Sequence, residues 1–180
     1  MPKDLNFAVL GLGMGMHHCQ AVVEAKGAHL AAVCDHDEAR LKEAMKQFGC
    51  QGYTKYADLL RNQDIDAICI ATESGLHARH GIQAARAGKH LLVEKPVDIT
   101  PARIKQLRDA VKQTGVKCGC VFQSRTEPLN LRLKKAIDSG NWANSSASTP
   151  NCPGTVRRAI TKALMARGKA PGNSTAAAVS

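Results

Sequence analysis

The chain has 180 residues and carries 25 Lys+Arg against 15 Asp+Glu, a formal net charge of +10. That length suits one domain with a full hydrophobic core and is short for two, while 44% hydrophobic against 22% charged residues excludes wholesale disorder. The basic excess raises nucleic acid or an anionic membrane as partners, but half of it falls in residues 141–180, where Arg157, Arg158, Lys162, Arg167 and Lys169 stand without a single acid.

In chain order, the apolar run Asn6–Leu10 predicts a first strand. It is too short and too glycine-interrupted for a membrane span or a signal peptide, so a soluble cytoplasmic protein is expected. The strand runs into Ala8-Val9-Leu10-Gly11-Leu12-Gly13-Met14-Gly15-Met16, which opens a helix over Met14–Lys26. In that context a glycine-rich turn has a mechanism. Gly11 permits the tight turn, Gly13 lets backbone approach a pyrophosphate, and the helix N-terminus turns unpaired N–H groups toward the anion. A third glycine would fall at position 16, where this chain has Met16, so either the helix–strand packing is looser or Gly15 does part of that job. Met14 and Met16 are expected to pack. His17, His18 and Cys19 follow on the first turns of the helix and read as ordinary helix residues, with no further ligand at metal spacing.

A second strand, Leu30–Cys34, ends at Asp35, 22 positions beyond Gly13. A carboxylate there accepts both ribose hydroxyls of an adenosine and repels a 2′-phosphate, favouring NAD over NADP. The competing reading has Asp35 merely capping the next helix, Asp37–Phe48, a role Asp37 fills equally well. His36 is expected to be exposed near the adenosine. Tyr56–Leu60 is a short helix, Ala67–Ala71 a strand, Leu76–Ala87 a helix, His90–Val93 a strand, Pro101–Thr114 a helix and Val116–Phe122 a strand. Asp37 and Thr100 are plausible N-caps, and Gly49, Gly88 and Gly115 are stop signals. Short apolar strands alternating with helices imply an α/β fold, a Rossmann-type doubly wound parallel sheet. One more amphipathic helix is predicted at Pro128–Asp138.

Two further segments carry the C-terminal ends of predicted strands, the edge where such sheets bind ligands. They are Ala71-Thr72-Glu73-Ser74-Gly75-Leu76-His77 and Gly88-Lys89-His90-Leu91-Leu92-Val93-Glu94-Lys95-Pro96. Lys95 offers a charged donor near a nicotinamide or a substrate hydroxyl, and Pro96 keeps it out of helical geometry. The seven cysteines (19, 34, 50, 69, 118, 120 and 152) lack regular spacing, which favours reduced, mostly buried thiols over a disulfide framework.

The order Gly-x-Gly turn, Asp35, Ala-Thr-x-x-x-x-His and Gly-Lys-His-x-x-x-Glu-Lys-Pro resembles the Gfo/Idh/MocA oxidoreductases, the glucose–fructose oxidoreductase and inositol dehydrogenase group. Gln123-Ser124-Arg125 to Pro128, ending in Ala136-Ile137-Asp138-Ser139-Gly140, resembles that family's link out of its nucleotide domain. The resemblance implies an NAD(P)-dependent dehydrogenase acting on a sugar, cyclitol or related polyol. It also implies a nucleotide domain over 1–123, a linker helix over 124–140 and a second, substrate-binding domain from about residue 141. By the same resemblance Gly11, Gly13, Met14, Gly15 and Asp35 hold the cofactor, Thr72, Ser74 and His77 border it, and Glu94 and Lys95 stand beside the nicotinamide. Lys95 is the implied catalytic residue and holds the substrate hydroxyl, and Arg125 closes over the cofactor. No metal is implied.

Residues 141–180 do not read as such a second domain. They are rich in Ala, Ser, Thr, Asn, Pro and Gly, a basic, irregular or disordered tail. A flexible extension, a basic arm for an anionic partner and a change of reading frame compete to explain it. A shifted frame permits Lys-Leu-Gly-Lys-Leu-Ile near the start, Leu-Pro-Trp-Tyr-Arg in the middle and Thr-Trp-Glu-Leu-Asp-Gly-Gly-Gly near the end, strings similar to the family's own continuation. We therefore read the tail as an out-of-frame version of that domain, and expect little or no turnover and a tendency to self-associate. A non-catalytic dinucleotide-binding module is the alternative. Nucleic acid is disfavoured, because the tail has one aromatic, Trp142, and no basic amphipathic helix.

Overall fold

The structure, a computed structural model, describes residues 4–139; the expectations for the tail, its irregularity and its shifted frame among them, concern residues outside that range. The chain divides into two units, Met1–Ser124 and Arg125–Ser180.

The first unit is built on six parallel strands, β1 (Leu5–Leu10), β2 (Ala28–Cys34), β3 (Gln51–Tyr53), β4 (Ala67–Ile70), β5 (His90–Val93) and β6 (Cys118–Cys120), in the order β3-β2-β1-β4-β5-β6. The winding reverses between β1 and β4, so the loops leaving these two strands part to either side and open a crevice at the C-terminal edge. Helices α1 (Gly15–Glu24), α2 (Glu38–Phe48), α3 (Tyr56–Arg61), α4 (His77–Arg86) and α5 (Pro101–Thr114) make the crossovers.

Alternation along each strand divides the core between the two faces. Ala8, Leu10, Ala32, Cys34, Ile68, Ile70, Leu91 and Val93 pack with Leu59 of α3, Ala78, Ala84 and Ala85 of α4 and Leu107 of α5. Val9, Val33 and Cys69 point the other way and pack with Cys19 and Val22 of α1 and Leu41 and Ala44 of α2. A sheet covered on both faces needs strands that are apolar at nearly every position, and β4, Ala-Ile-Cys-Ile, is buried throughout. Among the described residues no helix is long and apolar enough to cross a membrane.

The predicted elements are all present; His90–Val93, Pro101–Thr114 and Pro128–Asp138 keep their expected bounds and the others shift at their ends. β6 contracts from Val116–Phe122 to three residues, because β5 offers only Leu91–Val93 to pair with it. β3 was not visible in the sequence. Gln-Gly-Tyr has no apolar run, and the strand exists because its backbone pairs with Ala32–Cys34 at the sheet edge. Asp37 caps α2, accepting the amides of Ala39 (2.9 Å) and Arg40 (3.1 Å). Thr100 occupies the cap position of α5 without capping it, since its hydroxyl and amide both donate to Asp98. In the second unit, α6 (Pro128–Asp138) exposes Leu129, Leu131, Leu133 and Ile137.

Candidate functional site

The turn between β1 and α1 is shaped by two close approaches and one opening. A Cβ on Gly11, whose φ is +87°, would come within 2.7 Å of the Ala71 carbonyl oxygen, so the end of β1 rests directly on the backbone leaving β4. A Cβ on Gly15 would meet Val9 Cγ1 at 2.9 Å. Gly15 therefore supplies a tight helix–strand contact, the second of the two outcomes expected from Met16 at the third glycine position. Gly13 faces open space, with nothing within 4 Å of its Cβ position. The first turn of α1 holds no acidic side chain and no side-chain cap, leaving its amides available to an anion from outside the chain.

Asp35, at the end of β2, is 5% exposed and heavily engaged. Its Oδ2 accepts the Leu12 amide at 2.7 Å, and its Oδ1 accepts the Asp37 amide at 2.8 Å and the Arg40 guanidinium at 3.2 Å. Burial alone would push this carboxyl up, but the amides of Asp37 and Leu12 and the Arg40 charge outweigh it and hold it below its ordinary value. The carboxylate is thus ionised and fixed, with acceptor capacity left over. It does not cap α2, which settles the competing reading in favour of Asp37.

Gly11, Leu12, Gly13, Met14 and Asp35 line a cleft of about 620 Å³ together with Thr72 and Glu73 after β4. Leu10, Cys34 and Ala71 also line it, and His36, Arg40, Thr54, Tyr56, Leu76 and His80 complete the lining. Of these completing residues only His36 was anticipated. The Thr72 hydroxyl lies 3.1 Å from His80 Nδ1, and Tyr56 donates its hydroxyl to the His80 carbonyl at 3.0 Å while its ring meets the imidazole edge-on. Burial, with the Arg79 charge second, pushes His80 below its ordinary value and keeps it neutral. Met14 was expected to pack and is instead 61% exposed, because it stands at the cap position over the open side of the turn; Met16 packs against the α1–α2 core.

Of the remaining expected residues, Ser74, His77, Glu94 and Lys95 follow the C-terminal ends of β4 and β5, outside that lining. Ser74 is exposed. His77 is buried, with Nδ1 2.7 Å from the Pro96 carbonyl and Nε2 2.8 Å from the Thr72 carbonyl, so it braces the loop after β4 against the loop after β5. Glu94 follows β5, its amide donating to Ile70 and its Oε2 accepting the Lys95 amide at 2.8 Å. Lys95 is exposed and precedes a cis bond to Pro96. Among the described residues no carboxylate lies within ion-pair distance of its ammonium. Arg125 stands in the single-turn helix Gln123–Thr126, as the first residue of the second unit. No cluster of three or more His, Cys, Asp or Glu able to hold a metal occurs among the described residues.

The residues present fit a nicotinamide dinucleotide. A fixed carboxylate after β2 would meet ribose hydroxyls, the side-chain-free space at Gly13 would admit a pyrophosphate, and the uncapped start of α1 would face it.

Comparison with known proteins agrees. Residues 5–122 match the Gfo/Idh/MocA oxidoreductase family, NAD-binding Rossmann fold. The chain is 33% identical over 143 residues to scyllo-inositol 2-dehydrogenase (NAD(+)) of Bacillus subtilis, covering 78% of this chain and 42% of that protein. It is 34% identical over 137 residues to an inositol 2-dehydrogenase of Rhizobium meliloti, with 76% and 41% covered. Among solved structures, the WlbA dehydrogenase of Bordetella pertussis in complex with NADH and UDP-GlcNAcA superposes with a TM-score of 0.74 at 30% identity, covering 77% of this chain and 43% of that one. The chain spans less than half the length of these relatives. It belongs to the Gfo/Idh/MocA oxidoreductase family, and its described first unit is that family's NAD-binding Rossmann fold.

Proposed function

We propose, from that membership, that the chain supplies the dinucleotide half of an NAD-dependent dehydrogenase acting on a ring hydroxyl of a cyclitol, sugar or related polyol. The observation that carries the reading is the row of groups along one sheet edge: Asp35 after β2, the open Gly13 turn after β1, Thr72 after β4 and Glu94-Lys95 after β5. When bound, NAD supplies the hydride acceptor. Asp35 holds the adenosine ribose and repels a 2′-phosphate, the α1 amides hold the pyrophosphate, and Thr72, Ser74 and His77 shape the path between. Lys95 presents its ammonium to the substrate oxygen and holds the hydroxyl in line for transfer. The substrate class follows from the inositol dehydrogenases among the relatives. The buried thiols Cys19, Cys34 and Cys69 fit a reducing cytoplasm, and the exposed leucines of α6 favour self-association.

Titrating NADH into the 180-residue chain and following its fluorescence tests the reading. Saturable binding, competed by NAD and ADP-ribose and weaker for NADPH, is the expected result, and absence of binding overturns it. Turnover of scyllo- or myo-inositol with NAD, followed by nicotinamide absorbance, tests the chemistry. A second reading, a dinucleotide-binding module without chemistry of its own, predicts the same binding and no polyol oxidation.

A further inference from the structure

We propose that His18 is a positioning residue for the nicotinamide end of the cleft. It holds the Glu94 carboxylate, and through it the Glu94-Lys95 segment, where the distal half of a bound dinucleotide arrives. The inference rests on the dinucleotide reading above and deepens it.

His18 is the fourth residue of α1, one turn beyond the amides that face the pyrophosphate. Its neighbours have settled otherwise: His17 is exposed and Cys19 is in the core. His18 Nε2 reaches across the end of β4 to Glu94 Oε1 at 3.0 Å, joining residues 76 positions apart in the chain. Both side chains are largely buried, 15% and 12% exposed, so water and salt screen the contact less than they would a surface pair. The two oxygens of Glu94 thus have separate partners, His18 on Oε1 and the Lys95 amide on Oε2. The carboxylate is pinned from the α1 side and from its own loop, and the backbone that presents Lys95 is pinned with it.

The sheet order gives this contact its function. A dinucleotide with its adenosine at Asp35 and its pyrophosphate over the β1–α1 turn has only one direction left, over the ends of β4 and β5. One helix then serves both halves of the ligand. Its first turn meets the pyrophosphate, and His18, one turn on, sets the group met by what lies beyond. Removing His18 leaves the adenosine and pyrophosphate contacts intact and loosens only the distal end.

ADP-ribose shares every contact of NADH except the nicotinamide end, and the comparison of these two ligands is the test. Each is titrated into the 180-residue chain and into His18→Ala, His18→Gln and Glu94→Gln, with thermal melts as a check on folding. His18→Ala is expected to weaken NADH about tenfold, the worth of one charge-assisted hydrogen bond, and to leave ADP-ribose unchanged. His18→Gln, whose amide nitrogen reaches the place of Nε2, is expected to restore most of the loss, and Glu94→Gln to weaken NADH selectively. Equal weakening of both ligands, as a displaced α1 would produce, overturns the inference, and so does an unchanged NADH affinity. If His18→Ala does not fold, Glu94→Gln carries the same comparison. Failure of the unaltered chain to bind ADP-ribose overturns the dinucleotide reading itself, whereas normal binding that is indifferent to His18 overturns only the positioning role.

Discussion

The Asp35 carboxylate accepts the amide hydrogen of Leu12 at 2.7 Å, tying the end of β2 to the middle of the glycine turn after β1. In the proposed function one side chain would therefore meet the ribose and also fix the loop that would meet the pyrophosphate. Asp35→Ala is expected to do double damage. It strands the buried Leu12 amide and costs about 2–3 kcal/mol of stability, read from urea unfolding. It also weakens NADH by more than the lost ribose contact alone, read from fluorescence titration. Asp35→Asn keeps an acceptor near Leu12 and should be the milder of the two on stability.

Gly13 and Gly15 are two residues apart and should fail in opposite ways. Gly13→Ala adds a methyl to open space, so the melting temperature should hold while NADH binding is lost to a filled cradle. Gly15→Ala drives a methyl to 2.9 Å from Val9 Cγ1 and should cost about 1–3 kcal/mol of stability through overpacking. Paired melts and titrations separate these outcomes.

His80 gives the fold an acid-side weakness. Its folded pKa lies below the ordinary 6.5, through burial first and the Arg79 charge second. The unfolded chain therefore takes up this proton before the folded one does. The stability His80 contributes is complete above its ordinary value and is lost as pH falls toward the lowered one. Asp35 behaves in the same sense further down, its contribution complete above 3.8 and lost as pH falls through its depressed value. Urea midpoints taken from neutral to mildly acidic pH should fall less steeply in His80→Gln than in the unaltered chain.

Three thiols should be silent in the folded protein. Burial pushes Cys19, Cys34 and Cys69 up to about 12, so almost no thiolate exists at neutral pH. A chromogenic disulfide reagent should label them only after denaturant is added. Fast labelling of any of the three in the native chain would mean the sheet faces open far more readily than their packing implies.

Where backbone geometry demands a particular residue, the sequence was readable. Gly11 and Gly15 are required because a Cβ there would collide with Ala71, just past β4, and with Val9 of β1, and Asp35 stands at a fixed step beyond the turn, so these positions showed themselves. Arg40, Tyr56 and His80 did not. Each is an ordinary helix residue until α2, α3 and α4 are folded over the sheet and their side chains converge on one cleft. His18 is the sharpest case, because only strand order reveals that a residue on α1 faces the loop after β5. β3 was illegible for a related reason, since its stability comes from a neighbouring strand and not from its own three side chains.

The Arg40 guanidinium rests 3.2 Å from Asp35, and with Asp35 holding the ribose as proposed, cofactor choice would balance on a single negative charge. Exchange of Asp35 for serine would remove the repulsion toward a 2′-phosphate and release a cation already aimed at the place that phosphate would occupy. Selectivity between the two nicotinamide coenzymes then becomes a local inversion of polarity, reached in one substitution without rebuilding the walls of the pocket.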